Sequence, residues 1–396
     1  MFASLVLVGA SIAACSSSTE TPAPESGVDG KACQTDTECA TAAAKGICDT
    51  TAKKCMALPP GHEIGYRDGT PASVEFAEIK ATSAATKPVD LAFHRSPERA
   101  WELWVVGYGD NSTWVGKALD TDAPTWERFV DPAARHFMHK PTAISMSERN
   151  DWGTCGDNDN SQNDRSPSNF MGPALFSADL SIFAVRTPTG LGSHLDMLHS
   201  TPFCRGIAHE TNRVYWAFNS YDQSIDRYDF AEDHGPGNDD HSDGIIHRYA
   251  VGQVKGVDGV VSHLVFDPSD DYLYFADTGN GRIGKLDTKS GTKGESLPRR
   301  NEPLVDQGFM DGTNVEVVVA PGVLDQPSGI EMRNDLIYVT DAATSTFHVF
   351  DKSGKEVRRL TTDLPPHSLA GFTFGPDGKI WFTDRVTGRI LRIDPQ

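Results

Sequence analysis

The sequence predicts an all-β fold, a six-bladed β-propeller carrying a small disulfide-rich N-terminal module. Two observations carry that prediction. One strand-turn-strand unit recurs through residues 73–396 at fixed internal spacing. Ahead of it, four cysteines crowd into 23 residues, behind a stretch too polar to fold.

The repeat comes first because periodic self-similarity decides the architecture. In its clearest copy an apolar strand ending at Phe266 and Asp267 is followed by a polar turn and a second strand, Tyr272 to Asp277. A bulky apolar residue, Ile283, stands six positions after that final Asp, and Asp287 four after that. Three other stretches keep the same ruler: Asn219, Ile225 and Asp229; Asp341, Phe347 and Asp351; Asp384, Ile390 and Asp394. Gly, Asp and Asn mark the turns, as at Ser353-Gly354 and Pro376-Asp377-Gly378, which suits short antiparallel strands. Two degenerate copies precede these, Val89 to Gly107 and Pro141 to Cys155.

Six units over residues 73–396 average 54 residues each, near propeller-blade periods and far above those of solenoids. One such sheet cannot bury its faces alone and must stack on its neighbours. The last unit stops at Ile393 and Asp394, after its third strand, so Val74 to Ile79 is expected to close the ring as its fourth, leaving no open edge. Trp104, Trp216 and Trp381 recur at strand positions and read as core.

On these residues the chain resembles NHL repeats. The match is plainest at Asp277-Thr278-Gly279-Asn280-Gly281-Arg282-Ile283 and Asp384-Arg385-Val386-Thr387-Gly388-Arg389-Ile390. The superfamily so implied also contains gluconolactonase-like and peptidylamidoglycolate-lyase-like propellers. It is specific for fold and unspecific for function, since it spans hydrolases, lyases and binding scaffolds.

The N-terminus divides into three parts. Residues 1–15 run from an apolar stretch to Ser11-Ile12-Ala13-Ala14-Cys15 and resemble a lipoprotein signal with Cys15 as the lipidated residue, although no Lys or Arg precedes it. Ser16 after Cys15 resembles the outer-membrane sorting pattern. Residues 16–31 are Ser, Thr, Pro, Glu and Gly and read as a flexible tether. Residues 32–58 hold Cys33, Cys39, Cys48 and Cys55, separated by five, eight and six residues. Those are not C-x-x-C zinc spacings, so disulfides are favoured, with three connectivities open. Cys155 and Cys204 complete an even set of six thiols, as an oxidising compartment allows.

Function is expected where the loops feeding the inner strands converge on the tunnel. His139, His199, His263 and His367 each precede the end of an inner strand by a few residues in four different blades. They are expected to meet at one tunnel mouth, where neutral imidazoles suit zinc, copper or iron; the competing reading is ordinary loop histidines bonded to backbone. Lyase-like relatives hold zinc with tunnel histidines, but no motif places their catalytic Tyr and Arg here. Lactonase-type relatives hold calcium with Glu and Asn or Asp at blade starts, where this chain has Pro88-Val89-Asp90.

Two loops add candidates. Asp157, Asp159 and Ser161, in a long insertion between the second and third strands of blade 2, resemble the start of a calcium loop without its glycine or distant Glu. A Cys155–Cys204 bridge would pin that insertion beside the histidines. The run 232–244 in blade 3 offers His234, Asp239, Asp240 and His241, with His209 opening toward the same opposite face. These hard oxygens and imidazoles suit a divalent metal, and equally a plain acidic hairpin.

Acidic residues outnumber basic ones 55 to 36, and the net charge of -19 is broken by no basic cluster, so no nucleic-acid partner is expected. No nucleophile elbow or phosphate-cradling loop is present. The leading expectation is a monomeric cell-envelope lipoprotein, outer-membrane anchored through its lipid. Its propeller binds a protein or small-molecule ligand at one face together with a divalent metal (zinc, copper or calcium). The second is a metal-dependent lyase or hydrolase acting at the tunnel mouth.

Overall fold

The computed structural model describes residues 30–39, 46–49, 51–159, 170–298 and 303–396. Cys15, the rest of the signal and nearly all of the tether, and Ser161 lie outside the described residues. The chain divides into two compact units, Met1–Pro59 and Pro60–Gln396.

In the first unit, strands Gly46–Asp49 and Lys54–Ala57 form an antiparallel ribbon with Cys48 opposite Cys55. A single 3₁₀ turn, Asp36–Cys39, packs beside it. The pairings are Cys33–Cys48 and Cys39–Cys55, and the four half-cystines are the buried cluster of this unit. A ribbon this small has almost no other apolar surface, so crosslinks replace a core.

The second unit is the propeller. Blade 1 comprises Pro88–Phe93, Leu103–Gly107, Ser112–Lys117 and Thr125–Phe129; blade 2 comprises Pro141–Met146, Asp151–Gly156, Ala174–Ser177 and His194–Met197. Blade 3 is built from Cys204–Thr211, Val214–Asn219, Ser224–Asp229 and Ile245–Tyr249, and blade 4 from Leu264–Asp267, Tyr272–Asp277, Arg282–Asp287 and Glu316–Val319. Pro327–Arg333, Leu336–Asp341, Thr346–Asp351 and Glu356–Thr361 make blade 5. Blade 6 takes Leu369–Phe374, Ile380–Asp384 and Arg389–Pro395 from the end of the chain and Val74–Ala81 from its beginning. The ring is therefore closed by one sheet made from both ends of the unit.

The repeated Asp and Asn are turn chemistry. Asp277, Asp341, Asp384 and Asn219 are buried at the ends of second strands, where backbone N–H groups need acceptors. Asp277 accepts from the Lys255 N–H at 2.8 Å, Asp341 from Asp325 at 2.7 Å, Asp384 from Val386 and Thr387, and Asn219 from Asp222 at 3.0 Å. The apolar residues six positions later, Ile225, Ile283, Phe347 and Ile390, have no exposed surface. Asp229, Asp287 and Asp351 then each accept from the N–H two residues on, the Asx-turn geometry that starts the hairpin to the fourth strand. Asp394 has no such hairpin, because the fourth strand of blade 6 comes from elsewhere; Arg392 and Lys379 hold it instead.

The hub is narrow because the inner strands carry glycine at their third position in three blades. A Cβ at Gly206 would lie 2.2 Å from the Ser262 carbonyl, at Gly329 2.3 Å from the Ala370 carbonyl, and at Gly371 2.1 Å from the Asp90 carboxylate. A bulge at or near the start of five inner strands reinforces this close approach.

Two features fall outside the repeat. Pro60–Ser73 belongs to the propeller unit: Ile64 joins the core of blades 5 and 6, and buried Glu63 accepts from the Tyr338 hydroxyl at 2.5 Å. A ribbon inserted in blade 4, Thr292–Lys293 with Asp306–Asp311, adds to the outside of blade 3, where Asp306–Asp311 pairs in parallel with Ile245–Tyr249. Blade 3 thereby becomes six-stranded. Among the described residues no helix is long and apolar enough to cross a membrane.

Candidate functional site

The six inner strands ring the hub channel, which holds a cavity at the downstream face, where these strands end, and a separate pocket at the upstream face, where they begin. The downstream cavity has a volume of about 410 Å³ and is lined by Asp90, His94, Arg95, His209, His263 and Glu331, among others. The upstream pocket, about 430 Å³, is lined by Lys87, Asp258, Gly259, Val260, Ala342, His367, Arg385 and Val386.

Two acids set the chemistry of the downstream cavity. Asp90 is buried and accepts from the Ile144 N–H at 2.8 Å, and burial pushes its carboxyl up to about 8. Glu331 retains exposed surface inside the channel yet is enclosed by protein; burial first, and then Asp90, raise it to about 8 as well. His263 donates from Nε2 to the Thr142 carbonyl at 2.9 Å, and burial lowers it to about 4, so a bare Nδ1 faces Asp90 Oδ1 at 3.7 Å. At the rim, His209 donates from Nε2 to the Asn212 carbonyl at 2.8 Å and accepts from Arg95 at 3.1 Å.

The sign of the acid shifts gives a test. In the unfolded chain both carboxyls titrate near 4, so between about pH 4 and 8 the folded protein holds protons that the unfolded chain has shed. Stability therefore falls as pH rises through that window and levels above it. Above about pH 6.5, beyond the range in which the buried, depressed histidines oppose the effect, the thermal midpoint is expected to drop up to about pH 8.5. Asp90→Asn, neutral throughout, should flatten the drop by about 1.4 kcal/mol per pH unit within the window; an unchanged slope by calorimetry would refute the burial argument.

The upstream pocket is cationic. Arg385 lies 5.4 Å over the Tyr108 ring and donates to the Gly259 carbonyl at 2.7 Å, and among the described residues it forms no ion pair with a carboxylate. Exposed Lys87 stands on the same wall. Nearby Arg205 is buried between Asp157, with which it is in contact, and the exposed Asp258 at 3.0 Å. Tyr108 donates to Asp157 at 2.9 Å, and burial followed by the Asp157 charge pushes its hydroxyl up to about 12. The bridge Cys155–Cys204 joins blade 2 to blade 3 two residues before Asp157.

The structure does not bring His139, His199, His263 and His367 together. His263 lies within the hub, and His367 is exposed in the upstream pocket. His139 is half-buried beside Lys140 and Arg135, and burial first, then those cations, lowers its pKa. His199 packs against Phe170, with ring centroids 4.5 Å apart, and against His241 at 5.9 Å and His136 at 6.5 Å. Residue counting could not place them, because the feeding loops differ in length and the bulges shift each strand start. Among the described residues nothing at the upstream mouth suits a tunnel metal, calcium included: Lys87 and Arg385 line the pocket, and Arg205 is paired with Asp157 and Asp258.

The other expected sets also separate. Asp157 serves Arg205 and Tyr108, whereas Asp159 is followed at once by the undescribed part of its loop. His209 stays at the channel rim, apart from the run 232–244. Within that run Asp239 and Asp240 are exposed, and Asp240 accepts from the Ser242 N–H. His234 pairs with Asp243 at 2.9 Å, and His241 with Asp196 at 2.6 Å. Asp196, in blade 2, is the partner that the sequence reading missed. Among the described residues, two groups of at least three side chains bring ligand atoms within 4.8 Å of one another: Asp196 with His234 and Asp243, and Cys33 with Cys39 and Cys48. The cysteines are consumed in disulfides.

No family model matches the chain, and no curated protein matches it. Among solved structures it is similar to an auxiliary nutrient binding protein from Bacteroides thetaiotaomicron, at 13% identity over 77% of this chain and 68% of that one, TM-score 0.50. It is likewise similar to regucalcin, a calcium-binding protein from Agrobacterium tumefaciens, at 12% identity over 83% and 96%, TM-score 0.50. A luciferin-regenerating enzyme is similar at 9% identity over 81% and 95%, TM-score 0.51. At such identities the likeness speaks for architecture alone: this chain carries a six-bladed β-propeller related in fold to those three.

Proposed function

We propose that the chain is an exported binding module whose ligand is a small organic anion seated at the upstream mouth of the hub channel. The observation that carries this reading is Arg385: an enclosed guanidinium with no carboxylate partner among the described residues, lining a pocket of about 430 Å³ beside Lys87. That volume lies within the range of small-molecule sites, and a guanidinium recognises a carboxylate with two parallel hydrogen bonds. The Tyr108 ring fixes its plane. Three disulfides support an oxidising compartment, and lipid attachment at Cys15 to the outer membrane belongs to the same proposal. A metal-dependent lyase or hydrolase would need metal ligands converging at this mouth, and the four histidines stand in separate surroundings.

Isothermal titration with glucuronate, citrate and succinate tests the reading. At least one should bind saturably, and Arg385→Met, which keeps the apolar stem over Tyr108, should weaken it by about tenfold or more. Failure of all three, or equal binding by the variant, would overturn it.

A further inference from the structure

Away from the hub, the blade 3 hairpin folds back over the outermost strand of blade 2. His234 donates its backbone N–H to the Leu195 carbonyl at 3.3 Å and Gly237 to His194 at 2.8 Å, so His234 and Asp243 are carried to Asp196. Asp196 is 1% exposed. Its Oδ1 accepts from the Met197 N–H and is bonded to His241 Nδ1, each at 2.6 Å. Its Oδ2 is buried with no hydrogen-bond partner. An oxygen left so is costly in its ionised form unless a proton or a cation meets it. One ligand atom each from the Asp196 carboxylate, the His234 imidazole and the Asp243 carboxylate lie within 4.8 Å of one another.

We propose that Asp196, His234 and Asp243 form a zinc site that fastens the blade 3 hairpin to blade 2. A tetrahedral zinc with oxygen and nitrogen ligands near 2 Å separates those ligands by about 3.3 Å, so small side-chain movements complete the site. One imidazole with two carboxylates suits zinc better than calcium, which takes six to eight oxygens. Water fills the fourth position. His241 is a positioning residue: its bond to Oδ1 holds the Asp196 carboxylate in place beside His234 and Asp243. On binding, the proton shared by His234 Nε2 and Asp243 Oδ1 leaves to solvent, so affinity falls as pH drops. The site is independent of the anion pocket, and either can fail alone.

Titration of the chelator-treated full chain with Zn²⁺, read by calorimetry and elemental analysis, tests this. One Zn²⁺ per chain is expected, with Ca²⁺ unable to displace it. His234→Ala and Asp243→Asn should each raise the Kd more than about a hundredfold, and His241→Ala by about ten- to a hundredfold. Both ligand changes lie in the hairpin, so the metal-free variants should melt with the parent, and only the parent's midpoint should rise with Zn²⁺. Absence of saturable binding, displacement by equimolar Ca²⁺, or affinities unchanged in His234→Ala and Asp243→Asn would each overturn the assignment.

Discussion

A chain beginning at Thr82 will not show a single cooperative unfolding transition. The strand it loses, Val74–Ala81, pairs with Arg389–Pro395 over seven registered positions. Val74 belongs to the same buried cluster as Phe382, Leu391 and Ile393, and Phe76 packs edge-on against Phe382 with ring centroids 5.8 Å apart. Removing it exposes that surface and a row of unpaired backbone groups on the last strand. A propeller avoids open edges by closure, and a bare apolar edge templates association with other chains. Tryptophan fluorescence during urea unfolding, together with size-exclusion chromatography, is expected to show a broad or absent transition and oligomers. A monomer with the parent's midpoint would mean that the ring stands without its fourth strand in blade 6.

The second large effect is expected from Cys155→Ala with Cys204→Ala. The bridge links two blades across 49 residues of sequence, and on the chain-entropy account a loop of that length is worth about 4 kcal/mol. Both half-cystines are buried, and Thr142 Oγ1 donates to the Cys204 carbonyl at 3.0 Å in the same seam. The double variant should melt roughly 6 °C lower by scanning calorimetry, given about 1.4 °C per kcal/mol for a unit of this size. A shift under about 2 °C would show that the seam holds without the bond.

What the sequence made legible was whatever repeats. The ruler of Asn219, Asp277, Asp341 and Asp384 works because each side chain satisfies backbone groups at the same turn, so the same chemistry is needed in every blade. Trp104, Trp216 and Trp381 are fully buried for the equally repetitive reason that each blade packs on the next. The expected closing strand is also present. What stayed hidden was whatever depends on loop paths. His199 and His241 seemed destined for opposite faces, yet the hairpin 232–244 doubles back and sets their rings 5.9 Å apart. Asp196 carries no motif and lies 38 residues before His234. The parallel strand Asp306–Asp311 left no trace, because an added strand obeys no blade spacing. The cationic mouth drew residues from separate blades, so a search for clustered charge in a chain of net charge -19 could not find it.

Gly371 and Asp90 are one device rather than two residues. The absent side chain in blade 6 leaves the niche that the acid of blade 1 fills, its Oδ1 lying 2.1 Å from where a methyl group would begin. Evolution cannot alter either alone: enlarging the glycine would evict the carboxyl, and shrinking the acid would leave a void at the axle. The polarity of the bore is thus tied to how tightly the wheel is wound, and a change in what the channel admits would require the seam between its first and last spokes to be rebuilt.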